Sequence, residues 1–240
     1  MLNRLLLGVL ALALAPLAAW GAQAAGGSTP LDSYLDNLKT LRATFLQVLV
    51  DAHGKEIDRS TGTVVVVRPG KLRWEIHPAK AGDDDAGTGT AKAGGATNTA
   101  ASAGADSGGQ LLVADGRNLW FLDRDLQQVT VKPVDSALSA TPAMLLSGTV
   151  DVRKNFTISP AGKRDGLEWV LVEPRGTEAD FRRALFGFDG GELKRMILDD
   201  KLGQTATIAF QKIERNGSVS PDEVSFTPPP GVDVIGTPRK

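Results

Sequence analysis

The sequence contains no cysteine. Disulfides and Cys/His nucleophilic catalysis are therefore excluded, and a packed core must hold the fold. A lipid anchor attached at a cysteine is excluded too. Histidine is nearly absent: His53 precedes a glycine in an apparent turn, and His77 precedes Pro78 at a strand end. Neither belongs to a metal-ligand spacing such as H-x-x-x-H. No G-x-S-x-G elbow and no G-x-x-x-x-G-K-[ST] phosphate loop occurs. Charge of one sign is lacking as well, with 27 Lys+Arg against 28 Asp+Glu. That balance argues against a nucleic-acid partner, which favours a basic surface.

The only long apolar run lies at the start. Met1–Arg4 is a short basic stretch, Leu5–Leu17 is apolar, and Ala22-Gln23-Ala24 fits the small-x-small rule for signal cleavage. The expectation is a secretory signal peptide, residues 1–24, cut after Ala24; a retained N-terminal anchor is the alternative. Losing Arg4 leaves 26 basic against 28 acidic residues, a net charge of −2. No later segment is long and apolar enough to span a bilayer as a helix, so no stable membrane insertion is expected. Residues 25–240 read as one domain.

Ala79–Gln110 is almost wholly Gly, Ala, Thr, Ser and Asp, without aromatic residues or Ile. Such a segment cannot bury enough surface to offset its ordering entropy and reads as a disordered insertion at a hairpin tip. Asp83-Asp84-Asp85 within it has no companion ligand cluster, so no metal site is expected.

Thr29, Pro30 and Asp32 form a helix-start pattern. Leu31, Leu35, Leu38, Leu41 and Phe45 recur at spacings of four, three, three and four, which predicts a helix over 30–45. A second short helix is expected at "TPAMLLSG", over 141–147. The rest reads as strands: 47–51, 61–67, 72–77, 111–114, 118–122, 127–131, 156–159, 168–173, 181–188, 193–199, 206–213 and 224–227. Pro69-Gly70, Asp115-Gly116, Asp189-Gly190-Gly191 and Asn216-Gly217 supply the turns. Short turns between consecutive strands make an antiparallel meander, with no strand–helix alternation to suggest parallel units. The fold class is mainly β with a few helices (α+β). It is one curled sheet of about eleven strands, whose concave face the two helices must cover.

Asp199-Asp200 and Asp123/Asp125 are the carboxylate pairs that could serve hydrolysis, although each sits like a turn group. A curled sheet with a helical cover and no catalytic constellation suggests a container, not an enzyme, and implies no cofactor.

"RPGKLRWE" (68–75), "VADGRNLWFLDRDLQQVTV" (113–131), "TPAMLLSG" (141–148), "LDDKLGQTATIAF" (198–210) and "FTPPPGVDVI" (226–235) occur in this order. Together they resemble the outer-membrane lipoprotein carrier proteins, the LolA family of the Gram-negative periplasm, over nearly all of 31–235 except the insertion. The resemblance implies an unclosed, monomeric β-barrel lidded by helices over an apolar cavity. It implies a carrier that takes acylated lipoproteins from an ATP-driven inner-membrane release complex and delivers them to an outer-membrane receptor. An envelope sensor of lipid or lipoprotein on the same half-barrel is the alternative. It also implies that Arg68 latches the lid. In a hollow sheet, inward core and cavity lining are one set, so the candidate lining is Leu35, Leu38, Val65, Val67, Leu72, Trp74, Leu112, Trp120, Met144, Leu145 and Leu146. Two departures stand out: Leu72 replaces the family's usual aromatic, and the 79–110 insertion replaces a short turn.

Overall fold

The computed structural model describes residues 27–79, 108–134, 143–148, 152–177 and 179–239. The expected signal peptide and all but the ends of the insertion, with Asp83–Asp85, lie outside the described residues.

Helix α1, Pro30–Asp36, starts as its sequence dictates: Thr29 and Asp32 form a reciprocal capping box and Pro30 sits in the first turn. It stops well before Phe45. Asn37 closes it, and Thr40–Val50 forms strand β1 instead. The spacing of Leu41 and Phe45, four apart, fits a helix and a strand equally. Leu41, Ala43 and Phe45 also alternate, and they are the buried positions of β1. Two neighbouring strands pair with β1 along its length, and β-branched Thr40, Thr44, Val48 and Val50 suit a pleat better than a helix.

Strands β2 (Glu56–Val67), β3 (Lys71–Pro78), β4 (Gln110–Asp115), β5 (Asn118–Asp123) and β6 (Gln128–Pro133) follow as a meander. Short helices α2 (Ala143–Ser147) and α3 (Val152–Asn155) lead into a second meander. It comprises β7 (Phe156–Arg164), β8 (Leu167–Pro174), β9 (Phe181–Asp189), β10 (Glu192–Asp200) and β11 (Thr205–Arg215). The first helix and α2 sit at or near the predicted places; Thr141 and Pro142 are outside the described residues. The expected strand at 224–227 is absent. A 3-10 turn, Pro221–Val224, occupies its start, and Pro228-Pro229-Pro230 removes the donors a strand there would need. The chain pairs again only at β12, Asp233–Ile235, which adds to β6 in parallel.

All twelve strands form one sheet in the order β12-β6-β5-β4-β3-β2-β1-β11-β10-β9-β8-β7. The two meanders join through the β1–β11 ladder, and the sheet curls without closing. The β6-to-β7 connection must therefore span the width of the sheet, from β6, one strand in from the β12 edge, to the opposite edge strand, β7. α2 lies on that connection, which is why it covers the concave face. Asn216, at positive φ, fixes the seam: its side chain accepts from Lys39 N at 2.8 Å and donates to the Asn37 carbonyl at 2.9 Å.

Two apolar clusters result. The larger fills the concave side, where Phe45 and Trp74 pack at 4.6 Å and Trp74 meets Phe210 edge-on at 6.1 Å. Gly62 permits this layer, because a Cβ there would lie 2.4 Å from the Phe45 ring and 2.1 Å from the Glu75 carbonyl oxygen. The smaller cluster lies on the outer face of β4–β6: Leu111, Val113, Trp120, Leu122, Val129 and Val131 under Phe226 and Val232. None of the described helices is long and apolar enough to cross a membrane.

Candidate functional site

Residues directly opposite in an antiparallel ladder share a face. β3 alternates apolar Leu72, Trp74 and Ile76 with charged Lys71, Arg73 and Glu75. Its register sets Leu72 against Val66 and Ala114, and Trp74 against Val64 and Leu112. These side chains, with Phe45 on β1, Phe186 on β9, Met196 on β10 and Ile208 and Phe210 on β11, line one continuous apolar trough. At the end where the β3–β4 connection leaves, the trough opens as a cleft of about 160 Å³. Trp74, Ile76, Leu112, Phe121, Met196, Leu198, Ala206 and Ile208 wall it, and Gln47 and Gln110 are its polar side chains.

The other end is covered. α1 buries Leu31, Tyr34 and Leu35 against the trough, and α2 buries Met144, Leu145 and Leu146, none more than 1 % exposed. Both helices meet the β2–β3 hairpin tip at their C-terminal ends. Arg68 Nη1 donates to the Leu35 carbonyl of α1. Gly70 N donates to the Ser147 carbonyl of α2 at 2.7 Å. The Arg68 guanidinium also lies beside Gly148, at φ +71, where a Cβ would come within 2.5 Å of Nε. A cation set against the carbonyl end of a helix is favourable. Burial pulls the Arg68 guanidinium below its ordinary value and Asp36 opposes that shift. α1 is tied separately to α3 by Arg153 and Asp32, at 2.6 Å.

Residues 36–81 and 106–227 match the family model described as outer membrane lipoprotein carrier protein LolA. The chain is 38% identical to the outer-membrane lipoprotein carrier protein of Dechloromonas aromatica, over 88% of each chain. It is 34% identical to that of Methylococcus capsulatus, over 92% of this chain and 94% of the relative. The chain belongs to the LolA family. Among solved structures, a LolA superfamily protein from Nitrosomonas europaea is similar over 83% of this chain and 99% of its own, at 10% identity and a TM-score of 0.41. At that distance no residue is carried across.

Within this LolA-family fold, eight of the candidate lining residues belong to the concave cluster: Leu35, Leu38, Leu72, Trp74, Leu112, Met144, Leu145 and Leu146. Leu72 is fully buried. Three candidates are corrected. Val65 pairs with Arg42 and Arg73, and Val67 with Thr40 and Lys71, so both point to the outer face. The four-valine run hides its own phase; the alternation of β3, read across the turn, reveals it. Val64 and Val66 are the inward pair. Trp120 is also on the outer face. It packs on Phe226 at 5.5 Å, and its indole N–H donates to Asp115 at 2.7 Å. The concave aromatics Phe45 and Phe210 went unread as lining, although each follows the alternation of its own strand.

The carboxylate candidates serve structure. Asp199 accepts from Arg183 at 2.5 Å and Thr205 at 2.8 Å. Asp123 and Asp200 accept turn N–H groups. Burial pushes the Asp199 carboxyl up, but the Arg183 and Thr205 hydrogen bonds and the charges of Arg183 and Arg182 outweigh it and hold the group below the usual range. His77 lies 3.6 Å from Glu75, in a group with Arg73 and Arg124 on the outer face. No described cluster of His, Asp and Glu could hold a metal.

Proposed function

We propose that this protein is a periplasmic carrier that shelters the acyl chains of lipoproteins in its trough and releases them unchanged. The observation that carries this reading is an apolar trough covered by two short helices that share one hairpin tip as a fastening. Three long acyl chains hold on the order of 45 methylenes, and each exposed one costs about 0.8 kcal/mol. An amphiphile of that kind needs a dry cover in transit. The trough is apolar along its length, with Gln47 and Gln110 at its open end, so it accommodates chains and does not grip them. A charge-assisted hydrogen bond is worth about 1.5–3 kcal/mol, enough to favour a closed empty lid and small beside the gain from incoming chains.

On this reading Arg68 is the latch, and the Leu35 carbonyl and the α2 terminus are what it holds. Residues 1–24 direct export. The loaded monomer travels between an ATP-driven release complex in the inner membrane and a lipoprotein receptor on the outer membrane. Lipoprotein carriage by relatives of the same family, at 38% and 34% identity over most of the chain, supports the assignment. The test is release. Added to spheroplasts that retain lipoprotein, the mature protein should bring it into solution as a one-to-one complex. A natively folded protein that releases none would refute the carrier reading.

A further inference from the structure

Tyr34 is the only tyrosine in the chain. It lies on the trough side of α1 and is 2% exposed. Its ring packs 5.6 Å from Phe188 of β9, while the Arg215 guanidinium lies over it, 5.1 Å from the ring centre. Arg215 pairs with Glu192 at 2.7 Å, and those two side chains are 31% and 32% exposed. The tyrosine thus spans the boundary between the apolar trough and a half-wetted ion pair at its rim.

The Tyr34 hydroxyl is buried and has no hydrogen-bond partner among the described residues. A buried tyrosine hydroxyl ordinarily finds one, and leaving it unpaired forfeits its hydration. Phenylalanine would fill the same space without that cost. Burial pushes the phenol up, Glu192 adds to the shift and Arg215 opposes it, so the group stays a protonated donor. The empty protein therefore keeps an unsatisfied donor where wall meets rim. Tyr34 lies at the lid end of the trough, away from the open cleft, so cargo that enters beneath the lifted lid brings its polar junction past it, and an acyl chain begins with a carbonyl, a hydrogen-bond acceptor.

We propose that Tyr34 donates a hydrogen bond to a carbonyl of the cargo's acyl groups and so sets how deep the chains lie beneath the lid. The proposal rests on the carrier reading and adds a polar contact to an otherwise apolar site. It makes Tyr34 a discriminator between acyl chains and alkyl chains of equal length.

The experiment compares dioctanoylglycerol, which has two ester carbonyls, with its dioctyl diether counterpart, which has none. Each displaces an apolar fluorescent dye from the mature protein and from Tyr34→Phe. The readout is the ester-to-ether affinity ratio, which cancels the different water affinities of the two lipids. Tyr34→Phe should lower that ratio about three- to tenfold, the range of a single hydrogen bond. Its melting temperature without lipid should match or exceed that of the wild type, because the hydroxyl is unpaired there. Equal ratios in the two proteins overturn the proposal. So does a lower melting temperature for Tyr34→Phe, which would mean that the hydroxyl already has a partner. If neither lipid displaces the dye from the wild type, the carrier reading falls and takes this one with it. If both lipids bind and the ratio is unchanged, only the role of Tyr34 is lost.

Discussion

On the outer face of β4–β6, six apolar side chains lie beneath the C-terminal arm; on the inner face, Leu112, Ala114 and Leu119 belong to the cluster beneath the helices. Burial drives both covers in the same way. The fastenings differ. The arm is secured along its length: by Arg42 to Glu223, by the β12–β6 ladder, and by Asn118, which donates to the Arg239 carbonyl at 3.0 Å and accepts from its N–H at 2.7 Å. The lid helices are held mainly at their C-terminal ends, by Arg68 and Gly70 of the hairpin tip and by Asn216 on the Asn37 carbonyl, with Arg153 pairing to Asp32. A cover stitched at many backbone positions opens only when the protein unfolds. A cover held at its end can open while the sheet stays whole.

That contrast can be broken first on the sealed side. Trp120→Ala should cost about 3–5 kcal/mol, as large-to-small core changes do. Urea unfolding measures it, and the dye affinity of the remaining folded protein should be unchanged. A loss of dye binding would mean that the two faces are not independent. Next, Arg68→Leu should weaken lid closure by about 1.5–3 kcal/mol. The expected signs are faster dye entry and altered cargo hand-off at nearly unchanged urea midpoint; wild-type behaviour in both assays would rule out the latch. Gly148→Ala should act in the same direction but more weakly, by about 1 kcal/mol. Its Cβ meets the Arg68 guanidinium, and its positive φ strains an alanine. Dye-entry rate again reports it, and a variant slower than wild type would contradict the geometry.

The smallest effect is one of pH. Burial pushes the Asp115 carboxyl up, but N–H donors from Asn118, Trp120 and Arg117 outweigh that and hold it below the usual range. A lowered folded value means stability that is present above the unfolded pKa and lost as pH falls through the folded one. Below about pH 4, the outer face should therefore loosen around Trp120, whereas the Arg68 bond to a backbone carbonyl has no proton to gain. Asp115→Asn should flatten the acid side of the stability curve; an unchanged curve would assign the acid loss elsewhere.

Strand identity and turn positions were legible because alternation and Gly, Asn and Asp turns are local signals. β3 is the clearest case, with its faces written as Leu72-Trp74-Ile76 against Lys71-Arg73-Glu75. Arg68 stood out through the family resemblance that its context of Pro69, Gly70 and Trp74 helps carry. What failed was phase. Val64–Val67 carries no alternation, so facing had to come from the partner strand. Leu41 and Phe45, four apart, satisfy a helical and a pleated period together, and only pairing with β2 and β11 decides between them. Trp120 looked like cavity wall because the outer face acquires an apolar cover from residues more than one hundred positions away, Phe226 and Val232. Its bond to Asp115, five residues earlier, was the available local hint.

The connection that holds α2 begins at β6, one strand in from the β12 edge, and ends at the opposite edge strand, β7. A lid placed there cannot diffuse away when it lifts. It remains tethered at both ends, at an effective concentration on the order of millimolar, whatever the dilution of the protein. Toward its own trough the lid is a competing ligand that never has to be found, so departing chains are replaced by a first-order event within one chain.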